Sequence, residues 1–346
     1  MRGLLKNMGL VAALLASLAA QAADKYKLAW SHYTGWEPWG YVAESGIMKK
    51  WADKYGIEVE IQLVNDYIES INLYTAGSFD AVVATNMDAL TIPAASGVDS
   101  TALIIGDYSN GNDGIVSKVA SDVKGLKGQQ VYLVELSVSH YLLARALDQS
   151  GLSERDVKIV NTSDADIASV FVSTDGATAV TWNPPLQQAR NAKGAQLVFD
   201  SSKIPGEILD IAFVKTQADE RFKKALVGAW YEAMQVMSGE GPATEDMIGR
   251  MASGSGATPA EFRAQMKTTE MFYQPAKAVE FANSPELKKT MQSVRDFSFE
   301  KGLLGQVDSA DAIGISFSDG SVLGSESNVK MRFDTAYMKM AADGSL

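Results

Sequence analysis

The sequence contains no cysteine and only two histidines, His32 and His140. The first absence excludes disulfide scaffolds, thiolate metal sites, cysteine nucleophiles and a lipid-modified N-terminal cysteine. The second leaves little for metal chemistry, and no metal or cofactor is expected. Positive charge is also short: 31 Lys and Arg stand against 42 Asp and Glu, a formal charge of −11. Such a chain repels polyanions, so nucleic acid is not expected as a partner. Catalytic signatures are missing too. There is no G-x-S-x-G elbow, H-E-x-x-H helix, P-loop or spaced glycine triplet, and the reading is of a protein that is not an enzyme. Long apolar runs are confined to Met8–Ala20, about 13 residues, where a spanning helix needs about 20. Arg2 and Lys6 precede this run and Ala20-Gln21-Ala22 follows it, which predicts a signal peptide over residues 1–22, cleaved after Ala22. Cleavage removes two cations and no acid, so the exported chain is more acidic still.

What is present is ordinary for a globular protein: 346 residues, 46% hydrophobic and 21% charged, with a mean hydropathy near zero. That length allows two domains with separate cores. Lys25–Trp30 alternates like a strand and enters an aromatic loop, S-H-Y-T-G-W-E-P-W-G. A helix over 41–55 and a strand over 57–64 complete a βαβ unit. The alternation continues with a helix over 67–76, a strand over 81–85, a helix over 87–95 and a strand over 101–105, which reads as a parallel sheet. The polar stretch D-Y-S-N-G-N-D-G, residues 107–114, is a candidate crossover to a second βαβ series over 130–200. A strand over 208–214 would return across the hinge. From 219 to 303 the signals are almost wholly helical, with N-caps expected at Thr258 and Ser284, and this tail is expected to pack on the first lobe. The fold class is therefore α/β, with lobe 1 over 23–108 and 214–346 and lobe 2 over 109–213.

In open α/β sheets, ligands bind beyond the carboxyl ends of the strands. That rule selects Trp36 in the aromatic loop, with Trp39 a weaker choice because Pro38-Trp39 can begin a helix. It also selects Asn65 and Asp66, Thr85 and Asn86, Asp107, Glu135, Trp182 and Asn183, and Asp210. The set is rich in acceptors and aromatics, and none of these strand ends carries Arg or Lys. Four members also have a purely structural reading: Trp36 can plug a core seam, Glu135 can cap the next helix, and Asp107 and Asp210 can be solvated hinge acids.

At L-K-G-Q-Q-V-Y-L-V-E-L-S-V-S-H-Y-L-L, residues 126–143, the chain resembles the substrate-binding proteins of nitrate-, sulfonate- and taurine-type ABC importers, which have relatives among thiamine-pyrimidine synthases. G-S-F-D-A-V-V-A-T-N at 77–86 and T-W-N-P-P at 181–185 add to the resemblance. It implies a two-lobed type II periplasmic binding protein fold with two crossovers, a periplasmic location, monomeric behaviour, and partnership with an inner-membrane permease. Anion-binding members typically place Gly-Ser where this chain has Glu135-Leu136-Ser137. A carboxylate beside a bound anion would cost several kcal/mol, so a planar cation suits the position better. The chain most resembles the branch found with urea carboxylase systems and associated with urea and guanidine. Guanidinium is accordingly the expected solute, with urea, taurine or another sulfonate, nitrate, and a thiamine pyrimidine precursor as alternatives. The resemblance gives Trp36 the role of aromatic wall, Thr85, Asn86 and Asp107 polar contacts, Glu135 the substituted anion position, Trp182 the second aromatic, and Asp210 a further acid. An enzyme related to the pyrimidine synthases is the competing reading.

Overall fold

The computed structural model describes residues 23–346, and the expected signal peptide lies outside the described residues. Among the described residues no helix is long and apolar enough to cross a membrane. Two sheets organise the chain. The first has β1 (Asp24–Trp30), β2 (Ile57–Leu63), β3 (Ala81–Thr85), β4 (Ser100–Ser109) and β10 (Leu209–Lys215), extended by the short β12 (Gly314–Ser316), β13 (Val322–Leu323) and β14 (Val329–Phe333), in the order β13-β12-β14-β4-β10-β3-β1-β2. The second has β5 (Asp113–Ser117), β6 (Gln130–Leu133), β7 (Lys158–Asn161), β8 (Thr178–Trp182) and β9 (Gln196–Asp200), in the order β7-β6-β8-β5-β9.

Both sheets are mixed rather than purely parallel. β10 runs antiparallel to β3 and β4, and β5 runs antiparallel to β8 and β9, because these are the strands on which the chain crosses between the sheets and reverses. The first crossover is shorter than the polar stretch suggested. β4 continues through Ser109 and β5 starts at Asp113, so Asp107 lies within a strand. Ser201 Oγ staples the crossing, bonding Ser109 Oγ at 2.7 Å and accepting the Gly111 N–H at 2.8 Å.

β3, A-V-V-A-T, is buried at every position, as a central strand covered on both faces must be. The helix expected over 87–95 is instead a single turn, Asn86–Ala89, followed by a π-turn, Leu90–Ala94, because Pro93 lacks the N–H that an α-helix needs there. In the tail, Thr258 and Ser284 cap their helices through side-chain oxygens that accept from Glu261 N–H and Leu287 N–H. The helical run is interrupted by a short strand, β11 (Thr269–Met271), which pairs with the edge of β4. The tail helix Glu220–Met237 locks onto the aromatic loop by stacking Trp230 on Trp39, ring centroids 5.0 Å apart. That contact holds residues 33–39 in place at the end of β1.

Candidate ligand-binding site

Strand ends from both sheets converge on one small cavity, lined by Tyr33, Trp36, Tyr67, Thr85, Asp113, Val138, Trp182, Ile208 and Asp210. The register explains the convergence. Asp210, near the start of β10, is flanked by Thr85 of β3 and Asp107 of β4, while Asp113 at the start of β5 lies beside Trp182 at the end of β8.

Aromatic rings form a continuous wall. Tyr33 and Trp36 have centroids 5.0 Å apart, Trp36 and Tyr67 5.4 Å, and Tyr67 meets Trp182 edge-on at 5.5 Å. Trp182 comes from the second sheet, yet its Nε1–H donates to the His32 carbonyl of the first at 3.2 Å, which bridges the two halves over the cavity.

The polar side of the site is acidic. Asp88, Asp107, Asp113 and Asp210 are each at most 2% exposed. Burial is the main cause that raises the pKa of all four: Asp107 and Asp113 to about 7, Asp88 to about 6, and Asp210, further opposed by the neighbouring Asp107, well above the carboxylate range. Tyr33 Oη donates to Asp107 Oδ1 at 3.3 Å, and Tyr67 Oη to Asp88 Oδ2 at 2.6 Å. No lysine or arginine among the described residues contributes to any of the four shifts. One oxygen of each carboxyl makes no hydrogen bond within the chain, and neither does the indole N–H of Trp36. An ionised carboxylate without a counter-charge in such surroundings costs several kcal/mol. The cluster therefore takes up protons or a cationic guest. Among the described residues no group of three or more His, Asp or Glu is arranged to hold a metal ion.

Of the residues selected from sequence, Trp36, Thr85, Trp182 and Asp210 line the cavity. Asp107 lies behind Asp210, against Gly35, where a β-carbon would run into its carboxyl group. Asn86 is turned away from the cavity. Its side chain donates to the Glu207 carbonyl at 3.2 Å and accepts from the Leu209 N–H at 3.1 Å, bracing the returning strand. Glu135, assigned to the anion position, is exposed and outside the cavity. It sits in the turn just before Leu136, which adopts φ +66°, and its N–H donates to Asn161 Oδ1 at 2.9 Å. The capping role considered for it is filled by Ser137, whose Oγ accepts from the Ser139 N–H at 3.2 Å.

The sequence reading missed Tyr33, Tyr67, Asp88, Asp113, Val138 and Ile208. Two were within reach of a local signal. Asp113 closes the polar stretch over 107–114, and Tyr67 follows directly on the strand-end pair Asn65-Asp66. Asp88 sits in T-N-M-D, the spacing of a capping box, a pattern that hides a buried functional acid behind a structural role.

The NMT1/THI5-like family matches residues 40–236, more than half of the chain. No curated protein matches the sequence. Among solved structures, the fold is similar to the alkanesulfonate-binding protein SsuA from Xanthomonas axonopodis pv. citri bound to MOPS, with a TM-score of 0.68 at 17% identity over 83% of this chain and 96% of that one. The aliphatic sulphonate binding protein SsuA from Escherichia coli gives 0.65 at 17% identity, over 82% and 95%. The Candida albicans CA3427 gene product, described as having the generic periplasmic binding protein fold, gives 0.60 at 14% identity, over 83% and 92%. The chain has that two-sheet α/β fold.

Proposed function

The chain belongs to the NMT1/THI5-like family, and from that premise we propose that it is an exported, non-enzymatic solute receptor of an ABC importer, which encloses a guanidinium-type cation between its two lobes and presents it to a permease. The observation that carries the reading is the cluster Asp88, Asp107, Asp113 and Asp210, buried around an aromatic cavity with no basic side chain contributing. Guanidinium carries only N–H donors and pairs bidentately with carboxylates. It also stacks on indole faces, worth about 2 kcal/mol when desolvated. Asp113 enters from the second sheet and Asp210 from the first, so a cation held between them links the lobes and favours the closed form over the open one. Water exclusion by Trp36, Tyr67 and Trp182 strengthens each charged hydrogen bond.

The named structural relatives bind alkanesulfonates and aliphatic sulphonates. A sulfonate in this cavity would face Asp113 and Asp210 directly. One observation favours a second reading: the buried Trp36 Nε1–H has no acceptor, and the oxygen of urea would supply one. Titration calorimetry on residues 23–346, refolded to remove carried-over solute, compares guanidinium, urea, taurine and nitrate. Guanidinium is expected to bind at least about 100-fold more tightly than urea, roughly 2.7 kcal/mol. Preference for taurine or nitrate would overturn the reading, and preference for urea would replace it with the second.

A further inference from the structure

The tail helix Pro285–Glu300 is bonded to both halves of the molecule. Met291 Sδ accepts from Asn86 Nδ2 of the first half at 3.6 Å, and Thr290 Oγ1 donates to the Gly206 carbonyl, just before the returning strand, at 2.8 Å. Further along, about 16 Å from Thr290 by the rise of a helix, Lys301 caps the C-terminus and pairs its Nζ with Glu154 Oε2 of the second half. Among the described residues this is the one ion pair that joins residues 109–213 to the rest of the chain. The tail helix and the helix Val138–Gln149 flank an open groove lined by Tyr141, Arg145, Glu154, Phe297, Glu300 and Lys301. Phe297 meets Tyr141 edge-on, ring centroids 5.1 Å apart, and Lys301 Nζ lies 5.5 Å from the Phe297 ring.

Glu154 is held for this contact from its own side. Leu136, in its left-handed turn, donates its N–H to His140 Nδ1 at 3.0 Å. That bond fixes the tautomer, since the imidazole proton must then sit on Nε2, which donates to Glu154 Oε1. Burial pushes the His140 pKa down to about 4, so the ring is a neutral donor and leaves the ion pair to Lys301. One carboxylate thus serves a donor of its own half through Oε1 and a cation of the other half through Oε2. Both partners are mostly shielded, with side chains 21% and 20% exposed, so salt screens the pair less than it would a surface pair. We infer that Lys301 and Glu154 form a latch, outside the solute cavity, that sets the balance between the open and closed forms. Opening about the Gly206 end moves Lys301 further than Thr290, so the ion pair survives only while the halves are closed. A contact made only in the closed form lowers the cost of closure that a solute must meet, and so raises the affinity for any solute the cavity accepts. The inference rests on the reading of the chain as a closing receptor and is independent of the solute's identity.

The test reads the separation of the halves directly. The chain has no cysteine, so Lys49→Cys and Lys158→Cys place spin labels at one exposed site in each half without competing thiols. Distances are measured by pulsed electron paramagnetic resonance on residues 23–346 without solute, with thermal melts to confirm folding. In this labelled background Lys301→Met, which keeps an apolar stem beside Phe297 and loses the charge, is expected to raise the ratio of open to closed molecules at least about fivefold, or 1 kcal/mol. Glu154→Gln, which keeps an acceptor for His140, is expected to do the same, and the double variant to go no further than either single change. Lys277→Met breaks an exposed pair within one tail helix and is expected to leave the distances unchanged. Either folded single variant with the distances of the unmodified chain overturns the inference. So do additive effects in the double variant, or an equal shift in Lys277→Met. Failure of the unmodified chain to bind guanidinium would instead refute the solute reading, while these solute-free distances still decide the latch.

Discussion

The acids at the rim of this molecule and the acids at its centre follow opposite rules. At the rim, Asp99 is clasped by Arg332 at 2.8 Å, Asp219 by Arg221 at 2.6 Å, and Glu207 by Arg145 at 2.8 Å. At the centre, Asp88, Asp107, Asp113 and Asp210 crowd together with no base contributing to any of them. On the proposed reading, a fold that pairs its half-buried charges yet leaves its deepest ones unpaired trades stability in the empty state for attraction toward a cation. The contrast locates the site more sharply than the cavity's size does, since larger hollows elsewhere on the surface lack it.

The comparison can be broken most directly at Asp210. Asp210→Asn is expected to lower guanidinium affinity by about 100-fold or more, the cost of removing one partner of a buried charge pair. Asp99→Asn should do the reverse, leaving affinity unchanged and costing about 1 kcal/mol of stability in a denaturant titration.

Next in size is the dependence on pH. For the central group, folding raises the carboxyl pKa, so its stabilising contribution is complete below the ordinary carboxylate range and is lost as pH rises through about 6 for Asp88 and about 7 for Asp107 and Asp113. Asp219, held below the carboxylate range by Arg221, contributes in the opposite sense, above that range and not below it. Melting of the empty protein should therefore fall between about pH 5 and 7, and saturating guanidinium should flatten the slope. A slope of the opposite sign would mean that the central carboxyls are ionised and served by some other cation. The smallest effect belongs to Glu135→Gln, expected to change guanidinium affinity by less than about twofold because the side chain is exposed and outside the cavity.

Much of the architecture was legible because it is repetitive. Alternation in Lys25–Trp30, the buried run at 81–85 and the caps at Thr258 and Ser284 are local patterns, and local physics decides them. The site was legible only where it too is local. The topological rule finds Trp36, Thr85, Trp182 and Asp210 because each stands at a strand end. Glu135 falls outside the cavity, in a turn beside the left-handed Leu136, and hydrophobic patterning carries no record of that turn. It errs at Asn86 because the amide is claimed by Glu207 and Leu209, more than 100 residues away. Asp88 was invisible for the same reason: its meaning comes from neighbours that only the tertiary fold supplies.

The hydrogen bond from Trp182 to the His32 carbonyl has a kinetic consequence. It ties a side chain of one half to the backbone of the other beside the cavity, so on the proposed reading a bound solute leaves this side only when that bond breaks. Escape must wait for the halves to part, and the dissociation rate then reports a motion of the whole molecule. Solutes of quite different affinity would leave through the same slow gate, and removing the indole with Trp182→Phe would shorten residence time more than it lowers equilibrium occupancy.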